Sequence, residues 1–145
     1  MKTLKLVNYH GIDGFYRGKM DIAIESERGP IVLTGGDLLL QGIIKSVITG
    51  RVSDDSYGSS IYSVIGSKDS EQSDSAFLTY EIIEAINKFR ELQYSDSYVF
   101  DYTNSELFRS LDFVKIVRKN QYYSIFISIE NQDGLTITEN LIVRI

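Results

Sequence analysis

The residue types able to do chemistry are few in this chain, and their spacing excludes most of what they could do. His10 is the single histidine, and there is no cysteine. With His10 in an irregular N-terminal stretch and no Gly-x-Ser-x-Gly turn, a serine, histidine and acid triad has no supporting pattern. One histidine and no cysteine leave only carboxylates as metal ligands. Asp54, Asp55, Asp69, Glu71 and Asp74 are the acidic candidates for calcium, but they lack the alternating spacing of an EF-hand loop and read as a solvated acidic segment. Gly35-Gly36-Asp37 stands where a helix N-terminus could hold a phosphate. The aspartate repels an anion there, and no Gly-Lys-Ser/Thr follows, so the expectation is a helix cap. Glu81 and Glu84, one helical turn apart with Glu91 nearby, have the separation of a glycoside-cleaving pair. They fall on the outer side of one helix, away from the apolar surroundings that raise an acid's pKa. No catalytic residue, cofactor or metal is therefore assigned.

The composition is that of a globular domain. The chain has 145 residues, 43% hydrophobic and 24% charged, and one domain of this size buries roughly 70% of its unfolded surface. No apolar run approaches the ~20 residues of a membrane-spanning helix, and the first ten residues lack the apolar core and small-residue site of a secretory signal. The absence of cysteine excludes disulfides and fits synthesis in a reducing cytoplasm. Charge is uneven: residues 1–51 sum to +2, 52–106 to −8, and 107–145 to +1. The acidic middle repels phosphate backbones. The one basic cluster, Lys115, Arg118 and Lys119, reads as a solvated turn, so neither nucleic acid nor membrane is an expected partner.

The elements that must position these residues follow from periodicity. Residues 1–18 read as an N-terminal arm with one short strand at 4–7, and 19–145 as a single domain. Met20, Ile22 and Ile24 alternate with polar or small residues, residues 26–30 form a turn containing the only proline, and 31–34 pair back as a hairpin. Asp37 is the expected cap of a first helix whose apolar face is Leu40, Ile43, Ile44, Val47 and Ile48, with Gly50 as its left-handed stop. Gly42 inside it predicts close approach of another backbone. A second helix starts at Asp74 or Ser75 and turns Leu78, Ile82, Ile83, Ile86, Phe89 and Leu92 inward. Strands follow at 113–117, 123–129 and 136–145, with Asp133-Gly134 in the last turn. The fold class is α+β: an N-terminal β-hairpin, then two main helices packed on a mostly antiparallel sheet completed by a C-terminal β-meander.

Residues 21–61 also resemble a known family. Gly36, Asp37, Leu38, Gln41, Ile44 and Ile48 form a Gly/Asp-started helix with Leu and Gln in its first turns. Thr49, Gly50 and Arg51 leave it, and Tyr57, Gly58 and Ile61 complete the pattern. In this order and spacing the stretch resembles the contractile-tail baseplate wedge, or sheath-initiator, family of phages, which is also described as tail-lysozyme-like and has a relative in type VI secretion systems. The C-terminal meander looks like the family's as well. One departure stands out. Many members carry Glu-Pro-Arg just after the second long helix, where this chain has Phe89-Arg90-Glu91-Leu92-Gln93 without proline.

The resemblance implies a structural part of the virion and not an enzyme. Such a part sits where the baseplate wedge meets the first sheath ring and nucleates sheath assembly by adding an edge strand to a sheath subunit. Other wedge proteins, the tail sheath protein, and tube or hub proteins are the implied partners. The expected contacts are Tyr9, Phe15 and Tyr16 of the arm, Phe89, Arg90 and Glu91 of the second helix, and Leu141, Val143 and Ile145 of the last strand. Two other readings are a peptidoglycan-cleaving tail lysozyme and a soluble adaptor of the same fold.

Overall fold

A computed structural model describes residues 3–4, 6–8, 20–22, 24–25, 29–30, 32–61, 63, 71–120 and 122–144. Six short strands come first: β1 (Thr3–Leu4), β2 (Leu6–Asn8), β3 (Met20–Ile22), β4 (Ile24–Glu25), β5 (Gly29–Pro30) and β6 (Val32–Leu33). They pair antiparallel as β1 with β6, β2 with β3, and β4 with β5. The expected hairpin of 20–24 with 31–34 does not form: Ile24 and Glu25 pair with Pro30 and Gly29, inside the expected turn, while Met20–Ile22 and Val32–Leu33 pair with the N-terminal strands β2 and β1 instead. Within the expected arm, residues 3–4 and 6–8 are paired into this chain's own ladders, Leu4 with Val32 and Leu6 with Ile22.

Helix α1 (Gly35–Ile48) and the longer α2 (Glu71–Asp96) follow, then β7 (Phe108–Lys119), β8 (Tyr122–Asn131) and β9 (Thr136–Arg144). The three long strands form one antiparallel sheet in the order β7-β8-β9. Leu39, Ile43 and Val47 recur every four residues on α1 and are fully buried. On α2, Leu78, Ile82 and Ile86 do the same, with Ala85 fully buried beside them. Both stripes close over Ile125, Ile127, Ile129, Leu141 and Val143, forming one core between helices and sheet.

Several boundaries differ from the sequence expectation. The N-cap of α1 is Thr34, not Asp37, and it makes no side-chain cap bond. The Gly35 N–H is instead met from 71 residues away by Glu106 Oε1 at 3.4 Å. Gly50 is not a left-handed stop. The helix ends with the Thr49 N–H donating to Lys45 O, and the positive φ of +85° belongs to Gly58. A Cβ on Gly58 would lie 2.4 Å from Gly50 O, so that return is open only to glycine. Gly42 is a close approach, but to an aromatic ring rather than to backbone: an added Cβ would sit 2.8 Å from Phe89 Cε2. Helix α2 starts at Glu71, ahead of the expected Asp74 or Ser75.

Strand β7 is also longer than 113–117. One extra residue lies between Phe108 and Ser110 and another between Leu111 and Phe113, and these bulges break the two-residue period that pattern reading depends on. Lys115, Arg118 and Lys119 therefore lie on β7 and not in a turn. Arg118 and Lys119 cover the rings of Tyr123 and Tyr122, each at 5.7 Å.

Candidate assembly surface

Of the acidic candidates, Asp55 and Glu81 hold the 51–60 return onto α2, and Asp69 lies outside the described residues. Glu81 Oε2 accepts from Arg51 Nη2 at 2.7 Å and from the Ser60 N–H at 2.9 Å. Glu81 therefore faces the return and not a cleft shared with Glu84. Asp55 bonds Lys88 Nζ at 2.8 Å and Arg51 Nε at 3.2 Å. The hydrogen bond from Lys88 lowers the Asp55 pKa, with Arg51 adding to it, and Glu81 raises that of Arg51. Asp54 accepts from the N–H and Oγ of Ser56, which lower its pKa in turn. Among the described residues no three His, Cys, Asp or Glu side chains converge as a metal site. No described helix is long and apolar enough to cross a membrane.

A second polar set went unread in the sequence. Gln93 is buried at the C-terminal end of α2; its Nε2 donates to Glu106 O at 2.7 Å and its Oε1 accepts from the Phe108 N–H at 2.8 Å. The amide thus stands in for a neighbouring strand at the entrance to β7. Asn131 does the same at the β8–β9 turn, donating to Ser105 O and accepting from the Leu135 N–H. The Glu106 side chain is 2% exposed. Burial disfavours its charge, but the N–H groups of Thr103 and Gly35 are among the contacts that hold its pKa below the usual glutamate value. The legible signal was Gln93 itself, a polar residue in register with Ile82, Ile86 and Phe89 on the apolar stripe of α2.

The expected partner residues divide. Tyr9, Phe15, Tyr16 and Ile145 lie outside the described residues. Phe89 is half-buried against Gly42. Arg90 and Glu91 are exposed and line a depression of about 530 Å³ with Tyr94, Ser97, Arg109 and Gln132. At its edge Tyr94 meets Tyr98 edge to face with centroids 5.7 Å apart, and Val99 and Phe100 are exposed with them. Leu141 and Val143 are 0% exposed. Their side chains belong to the core, so β9 can meet a partner there only through its backbone.

The free backbone groups of β9 follow from the register. The Asn131 N–H bonds Leu135 O, and the one-to-one pairing that begins at Glu130 with Thr136 runs without a bulge to Tyr122 with Arg144. Antiparallel pairs alternate between hydrogen-bonded and non-bonded. Ile137, Glu139, Leu141 and Val143 therefore turn their main-chain groups toward β8, and Thr136, Thr138, Asn140, Ile142 and Arg144 turn theirs away. Among the described residues no strand pairs with that outer side. One of its donors is occupied: the Asn140 N–H donates to Oε1 of Glu139 at 3.1 Å. On the face turned from the core, Ser124 Oγ donates to Asn140 Oδ1 and Thr138 Oγ1 to Ser128 Oγ, tying β9 to β8.

No family model, no curated protein and no solved structure matches this chain.

Proposed function

We propose that the chain is a structural component of a contractile phage tail baseplate. In this reading it is a virion protein synthesised in the host cytoplasm, which joins the wedge to the first sheath ring and nucleates sheath assembly through edge-strand pairing. The observation that carries it is the outer edge of β9, a nine-residue strand with a row of main-chain donors and acceptors facing away from β8. Such an edge is a template for one more strand, and main-chain hydrogen bonds supply the affinity. The family resemblance of residues 21–61 supplies the setting, and with it wedge, sheath, and tube or hub proteins as partners. Glu81, one half of the only carboxylate pair considered for glycan cleavage, is engaged by Arg51 and Ser60, which favours the structural reading over the lysozyme one.

Removing the end of β9 is a poor test, because Leu141 and Val143 fill the core. Thr138→Pro is sharper. It deletes one outward N–H, and proline is tolerated on an edge strand whose N–H faces away from the ladder. Electron microscopy of particles carrying Thr138→Pro should show baseplates without sheath. Normal sheaths on those particles would overturn the reading.

A further inference from the structure

The cap on Asn140 has a consequence for what β9 can accept. An unpaired strand edge risks pairing with any other edge, including that of a second copy, and proteins blunt such edges with inward-pointing charges. Glu139 has this character. It is half-buried, it lies on the core face between Ile137 and Leu141, and its carboxylate turns to the N–H of Asn140 near the middle of the open edge. A strand added to β9 must take that N–H, so the carboxylate has to leave.

We propose that Glu139 is a specificity gate: it bars pairing of β9 with β9 of another copy and selects an extended partner segment bearing a lysine or arginine beside it. The proposal rests on the reading of β9 as an assembly edge and names the chemistry of its partner. In a two-fold antiparallel pairing of two β9 strands with full overlap, the centre falls at Asn140. Glu139 then lies opposite Leu141 of the second copy. The two displaced carboxylates face each other along the diagonal at roughly 7–8 Å, on one face of one ladder, where like charges destabilise. A heterologous strand with a cation at the same place supplies the displaced carboxylate with a new partner while its carbonyl takes the Asn140 N–H.

The test is the mass of the purified chain against concentration, by light scattering, with a peptide titration beside it. The wild-type chain is expected to remain monomeric. Glu139→Val, which removes the cap and the charge and leaves a good strand former, is expected to double in mass, and the double variant E139V/N140P to return to monomer. Glu139→Gln, which keeps the acceptor and loses the charge, serves if the valine variant folds poorly and is expected to dimerise more weakly than valine but above wild type. Both single variants staying monomeric, or a dimer that survives N140P, would overturn the gate. For selection, the probe is a synthetic copy of Thr136–Arg144 carrying E139K. It should bind the wild-type chain at least tenfold more tightly than the unaltered copy, with salt reducing the difference. Equal affinities would overturn it. These readouts need no virion: a dimer formed by E139V together with normal sheaths on Thr138→Pro particles would keep the gate and remove the sheath reading.

Discussion

Glu106 shows what a buried side chain does when no local cap is available. Thr34 offers α1 no side-chain bond, and a carboxylate from the 101–107 connection meets the Gly35 and Thr103 N–H groups instead. Its pKa is lowered from 4.5, so its contribution is full at neutral pH and is lost as pH falls below about that value through the folded-state pKa. Glu106→Gln should cost about 1–3 kcal/mol at pH 7, the range for disturbing a buried hydrogen-bonded group. In urea unfolding the gap between variant and wild type should narrow steadily below pH 4.5; a gap independent of pH would refute the assignment. Gly58 provides a second residue-scale case. Alanine there adopts a left-handed φ and presses on the Gly50 carbonyl, so Gly58→Ala should lower stability by about 1–3 kcal/mol in the same measurement.

At the scale of elements, the contact between α1 and α2 depends on a missing side chain. In a solvated helix Gly42→Ala would stabilise by ~1 kcal/mol. Here the new Cβ meets the Phe89 ring at 2.8 Å, and overpacking costs about 1–3 kcal/mol. The expected net effect is a loss in melting temperature, and Phe89→Leu should restore part of it in the double variant. Simple additivity of the two changes would contradict direct contact. The sheet follows a different rule. β8 has a strand on either side, and Ser124 and Ser128 are buried between its two neighbours. β9 presents one ladder to β8 and the other outward. Pattern reading saw the same apolar alternation in both strands; only the strand order distinguishes them.

Across the whole molecule the core and the candidate surfaces separate cleanly. The helices and one sheet face enclose the core, while the edge of β9 and the aromatic end of α2 stay outside it. Tyr98, 78% exposed, makes a hydrogen bond to Tyr94 Oη at 3.1 Å and little else that is buried. Tyr98→Ser should therefore leave thermal stability within about 0.5 kcal/mol of wild type, and a larger change by calorimetry would mean that this end packs more tightly in solution. In the acidic middle of the chain, Asp54, Asp55 and Glu81 hold the 51–60 return in place through Ser56, Lys88 and Arg51; the pKa values of Asp54 and Asp55 are lowered by these partners, so their two contacts are present at neutral pH and weaken as pH falls through the folded-state values.

The order of elements, the α+β class and most of the core were legible in the sequence, because burying one face imposes a period of 3.6 on α1 and α2 and of 2 on β8 and β9. The capping of α1 was not, since its acceptor comes from Glu106, 71 residues away. Nor was the length of β7, whose two bulges erase the period. The role of Glu139 was equally hidden. A glutamate between apolar neighbours reads as an ordinary surface residue until the strand order makes β9 an outer strand and the register turns the Asn140 N–H outward. Local patterns report which face of an element is dry; tertiary structure alone decides which element lies beside it, and therefore which backbone groups are left for a partner.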